Sequence, residues 1–185
     1  MISAKASRHS IRRHPLNRAI SFTWQGGFFF FVALYLAVAW KPGLLGTTDW
    51  IQAFDFISLV QKWTPLSPNG NAYAFAMGTA VLTSIAVGIL FGIVVRTDHS
   101  SFRRFVERRP HWHNLLLTIG ALGIAAVPFL SLAEYDGVGP MDRLYAALLG
   151  NDITTAIVVG AIFFGYCAFW LAAVLAFRHV LWRYS

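Results

Sequence analysis

Six histidines, one cysteine and eight carboxylates are the side chains with which this chain could do redox, metal or acid–base chemistry. The histidines are His9, His14, His99, His111, His113 and His179, and none falls in the middle of an apolar run. A b-type haem in a helix bundle is held by axial ligands at membrane depth, so no haem is expected to be held by this chain alone. His111 and His113, with His99, could approach a metal. Residues two apart do not share a helical face, however, and no cysteine or carboxylate cluster accompanies them. No metal site is expected. Cys167 stands alone, which excludes both a disulfide framework and a CxxC redox pair. No GxSxG, HExxH or P-loop pattern occurs, and no paired carboxylates lie within an apolar run, so no catalytic residue is assigned. Intramembrane charge is the usual mark of a proton or ion path, and the apolar runs carry none near their midpoints.

The elements that would carry any such site are four apolar runs, at residues 22–40, 73–95, 115–133 and 153–177. Hydrophobic residues make up 57% of the chain and charged residues 12%, against a typical charged share of about 25%. A soluble domain of this size could not hide that much apolar surface. Each run reaches the roughly 20 residues that a helix needs to cross a hydrocarbon core of about 30 Å. A helix also satisfies its own backbone groups in lipid. The expected fold is therefore an all-α integral membrane protein, residues 1–185 forming one domain of four transmembrane helices.

Charge orients it. The tail 1–20, the loop 96–114 and the segment after the fourth run hold 12 of the 15 Lys and Arg; the other two loops hold only Lys41, Lys62 and Arg143. The excess marks the cytoplasmic side, so both termini are expected there, in a bacterial cytoplasmic membrane, with 1–20 as a basic cytoplasmic tail. The net charge of +7 is thus explained by anionic phospholipids and topology, and no nucleic acid is invoked. Arg103, Arg104, Arg108 and Arg109 are the candidate lipid-headgroup residues.

The first external loop, 41–72, has structure of its own. Asp49 offers a helix cap, polar residues recur at 49, 52, 55, 58 and 62, and Pro65 and Pro68 close the segment. A short amphipathic interfacial helix is expected over 49–63, lying flat in the outer interface, with Trp50, Phe54, Ile57 and Trp63 as a candidate docking surface. In the second external loop Asp152 is expected to cap the fourth span. Gly88 and Gly92 form a GxxxG, and Ala161 and Gly165 a small-xxx-small pair, which let helix backbones approach closely. Pro128 should kink the third span.

The stretch from Arg13 to Trp24, with spaced arginines, resembles the opening of the four-helix cytochrome b subunits of formate dehydrogenases and hydrogenases. Those continue with His-Trp, whereas Thr23 precedes Trp24 here, so the resemblance brings no haem ligand. The leading expectation is a non-catalytic accessory subunit of a larger membrane complex of respiratory, photosynthetic or monooxygenase type. It would pack against other membrane subunits and bind no cofactor alone, with lipid, quinone or pigment contact at a subunit interface. The alternative is a small membrane subunit of a multi-subunit transporter or secretion system. A membrane enzyme working through Glu134, Asp136 and His111 is the least supported reading.

Overall fold

The computed structural model describes residues 15–95, 111–129 and 140–182, and among these every regular element is helical. Helix α1, Pro15–Trp40, opens on a proline, whose fixed φ and missing N–H suit the first helical position. It is followed by two short helices, α2 (Trp50–Ala53) and α3 (Ser58–Trp63). Helix α4 is Gly70–Val94, α5 His111–Ala126, α6 Pro140–Leu149 and α7 Asp152–Trp182. Three stretches are long and apolar enough to span a membrane: Arg18–Trp40, Gly70–Val94 and Asp152–Arg178.

Helix α5 is the shorter one, at 16 residues. It tightens into a 3-10 turn at Val127–Phe129. Pro128 supplies the reason, since proline has no N–H for the α-helical ladder and its ring crowds the preceding turn. The last part of the expected third span, 130–133, lies outside the described residues.

Helix α7 is the hub, packing against α1, α4 and α5. Ile20 near the start of α1 clusters with Phe91 near the end of α4 and with Cys167 of α7. At the opposite end Tyr35 of α1 meets Asp152 at the start of α7. Helix α1 is therefore antiparallel to α4 and α7.

Glycines set these approaches. A Cβ added to Gly88 of α4 would stand 2.6 Å from Cβ of Trp170 and 2.8 Å from the Cys167 carbonyl oxygen. One added to Gly92 would stand 2.5 Å from Cβ of Val174. Gly160 of α7 lies against the Phe28 backbone and Val32 of α1, and Gly27 of α1 faces the Phe163 ring. In lipid, burial of apolar surface gives helices no reason to associate, so close van der Waals packing at small residues takes its place.

The loop between α1 and α4 corrects the expectation. Residues 49–63 form not one flat helix but a hairpin of α2 and α3, broken at 54–57. Phe54 turns with φ −116° and ψ 23°, and Ile57 is extended. Chain closure requires the reversal. Both ends of the segment sit at the start of α4, where the Trp50 amide donates to Asn71 Oδ1 (2.8 Å) and Thr64 packs under Gly70. A continuous helix over 49–63 would carry the chain about 21 Å away. Phe54, Ile57 and Val60 are buried against the bundle, and the Phe54 ring lies directly over Gly78.

Replacing Gly88 with Leu should therefore destabilise the protein by about 1–3 kcal/mol or more, the scale of overpacking a tight contact. Gly165→Leu should be near neutral, because a Cβ there meets nothing within 4 Å. Thermal unfolding of the two variants in the same detergent checks the contrast.

Candidate functional site

Most of the side-chain hydrogen bonds that join one helix to another lie at the two ends of the bundle, while Thr79 and Ser84, midway along α4, bond to carbonyls of their own helix. At the hairpin end, Asp152 is the first residue of α7, half-buried, with Tyr35 of α1 fully buried beside it. The Tyr35 hydroxyl donates to Asp152 Oδ1 at 2.9 Å, and Asn69 Nδ2 donates to the same oxygen at 2.9 Å. Ser67 Oγ lies 3.2 Å from the Tyr35 hydroxyl oxygen; with the tyrosine proton committed to Asp152, Ser67 is the donor there. One carboxylate thus ties the end of α1, the lead into α4 and the start of α7. Its described partners are neutral, and the positive end of the α7 dipole offsets its charge.

Asp152 is not the cap of α7, as its position had suggested. Asn151 takes that role, its Oδ1 accepting from the Thr154 amide at 2.9 Å. The carboxylate one residue on is thereby left for Tyr35 and Asn69. The hairpin is secured alongside: Asp49 Oδ1 accepts from the Ile51 and Gln52 amides, and Asn71 Nδ2 donates to the Thr48 carbonyl at 3.1 Å.

At the other end Arg178 of α7 reaches across to α4. Its Nη1 donates to the carbonyl oxygens of Gly92 (2.7 Å) and Val95 (3.2 Å). Those carbonyls belong to the last turn of α4, which has no further amides to bond and carries the negative end of the dipole. Between the two ends, Trp24 Nε1 donates to the Phe164 carbonyl at 3.0 Å, and the two rings stack at 4.5 Å. The indole N–H groups of Trp50 and Trp170 are buried with no acceptor among the described residues.

The residues singled out from sequence fall in different places. Gly88 and Gly92 lie in the α4–α7 contact, whereas Ala161 is exposed and Gly165 has no neighbour at its Cβ position among the described residues. Phe54 and Ile57 point into the chain's own core, and Trp50 and Trp63 are half-buried. Trp50 packs on Phe54 and Phe75, and Trp63 on Tyr145. These four cannot form an open docking face. Arg103, Arg104, Arg108, Arg109, Glu134 and Asp136 lie outside the described residues. Sequence reasoning did not pick out Tyr35, Ser67, Asn69 and Asn71. The available signal was a polar Ser-Pro-Asn-Gly-Asn run abutting an apolar helix, and one tyrosine inside another.

Chemically the Asp152 junction is a clasp: a carboxylate saturated on one oxygen by a phenol and an amide, with no nucleophile or base facing it among the described residues. No protein-family model matches the chain, and no curated protein or solved structure is significantly similar to it. Its class rests on its own features: an all-helical protein with three helices long and apolar enough to cross a membrane, as membrane proteins have.

Tyr35→Phe removes the buried donor to Asp152 and should cost about 1–3 kcal/mol, the scale for a hydrogen bond to a charged group. Asn69→Ala should act in the same direction, and the loss in the double variant should depart from the sum of the two, since both serve one oxygen. A double-mutant cycle of thermal unfolding measures this coupling; strict additivity would argue against a shared clasp.

Proposed function

We propose that this chain is a non-catalytic subunit of a larger membrane assembly of respiratory, photosynthetic or monooxygenase type. In this reading α5 and the residues after it make a fourth span, and both termini are cytoplasmic in a bacterial cytoplasmic membrane.

The observation that carries the proposal is the set of glycines turned away from the described bundle. An added Cβ at Gly26 of α1, at Gly120 and Gly123 of α5, or at Gly165 of α7 meets none of the described residues within 4 Å. Glycine in a helix interior costs about 0.5–1 kcal/mol relative to alanine and gives nothing to a lipid-facing surface. It is useful where a second helix backbone comes close. Around Gly120 and Gly123, α5 also exposes Leu116, Ile119, Leu122 and Ile124. That helix is covered mainly by α7. In each candidate span fewer than half of the residues in the most apolar stretch are buried within the chain. A partner subunit's helices, packed on α5, account for glycine and exposed leucine together. The outward phenylalanines of α1, Phe22, Phe29 and Phe30, offer a surface for lipid, quinone or pigment at the same subunit boundary.

Gly120→Leu with Gly123→Leu adds bulk where none of the described residues is a neighbour, so the purified chain should unfold at an unchanged or higher temperature. Co-purification of its partner chains in mild detergent, read by native mass spectrometry, should be lost. A wild-type chain that runs as a lone monomer would sink the proposal. For orientation, a reporter active only in the cytoplasm should work when fused after Ser185 and fail when placed at Gly46; the reverse pattern would invert the topology.

A further inference from the structure

We propose that the tip of the α2–α3 hairpin is a lipid anchor, with Phe56 seated at the boundary between headgroups and hydrocarbon in the outer leaflet. The inference rests on the spanning of α4, not on the existence of a partner subunit.

The register of the hairpin along α4 carries it. Ile51 and Thr64 lie at the level of Gly70, Trp50 at Asn71 and Phe75, and Phe54 on Gly78. From Gly70 to Gly78 the hairpin descends α4 by about 12 Å, at about 1.5 Å per residue. The opposite end of α4 is marked by Arg178, whose guanidinium sits on the Val95 carbonyl, as expected of an arginine at a membrane boundary. From Val95 back to Gly78 is roughly 26 Å, less than the roughly 30 Å of hydrocarbon that α4 must cross. The tip therefore reaches or slightly passes the outer edge of the hydrocarbon.

The side chains and backbone at the tip suit that depth. Phe54 and Ile57 face the bundle, while Phe56 is 55% exposed and points away from it. Part of the broken backbone is paired internally: the Phe54 amide donates to the Trp50 carbonyl, Asp55 to Gln52 and Ile57 to Phe54. Irregular backbone at a membrane surface requires such pairing. Asp55 is exposed next to Phe56, and a carboxylate in hydrocarbon is costly, so the tip stops at the boundary. An aromatic ring beside a carboxylate matches the half-wet zone of a phospholipid surface.

The test uses the purified full chain in phosphatidylcholine vesicles, without partners. Phe56→Cys and Thr48→Cys are each spin-labelled; the native Cys167 is buried and stays unmodified. Collision with oxygen, which concentrates in lipid, is compared with collision with a water-soluble nickel chelate. The oxygen-to-nickel ratio should be several-fold higher at 56 than at 48, with Ile51→Cys in between. Equal ratios at 56 and 48 would place the tip in water and overturn the proposal. Protection of 56 from both reagents would mean that protein covers it, and would overturn it too. A several-fold higher ratio at 56 in vesicles holding the chain alone would stand even if no partner subunit exists.

Discussion

The close approach of α4 to α7 is the contact on which the rest of the structure depends. Gly88 and Gly92 bring the two backbones together past Cys167, Trp170 and Val174, where any side chain on α4 would collide. Two helices with little polarity to pair cannot be held together by hydrophobicity when their surroundings are equally apolar. Many short-range dispersion contacts must do so, and each fades within a fraction of an ångström of separation. Helix α1 follows the same rule through Gly27 and Gly160. The remaining elements are arranged around α7 because it is the helix that offers packing faces on several sides.

Polar groups then fix what dispersion leaves loose. Helices that pack on small residues can slide or rotate at modest cost, and directional bonds at both ends prevent it. Tyr35, Asn69 and Asp152 set the register of α1, α4 and α7 at one end, and Arg178 sets α7 against the final carbonyls of α4 at the other. These bonds sit where the helices leave the bundle, so they satisfy backbone and carboxylate without placing charge in the middle of a span. The same economy shapes the loop between α1 and α4. Asp49 and Asn71 pin it at the head of α4, and Phe54 uses the gap left by Gly78.

A carboxylate already engaged by two donors is a poor base, and glycines and leucines turned outward gain most when something packs on them. The proposed role as a subunit draws on that contrast: the described inner faces are closed by the chain's own residues, and the described outer faces are apolar and uncovered.

Much of this was legible in the residues alone. Three helices long and apolar enough to span a membrane, the α4 glycines, the Asp49 cap and the break at Pro128 follow from apolar run length, glycine spacing, capping chemistry and the missing proline N–H, all of which act over a few residues. The hairpin at 54–57, the displacement of the α7 cap from Asp152 to Asn151 and the Tyr35 clasp were not. Each is decided by contacts between residues far apart in the chain. Whether Phe54 ends a helix depends on Gly78, and whether Asp152 caps its own helix depends on Tyr35 and Asn69. Ala161–Gly165 and Gly88–Gly92 read alike as motifs, yet among the described residues Gly88 and Gly92 meet α7 closely while Gly165 meets no neighbour at its Cβ position. Local pattern determined which segments are helices and which of their residues could approach a partner. Tertiary packing alone decided which face each helix turned inward, because that choice is made by the shape of the opposing helix.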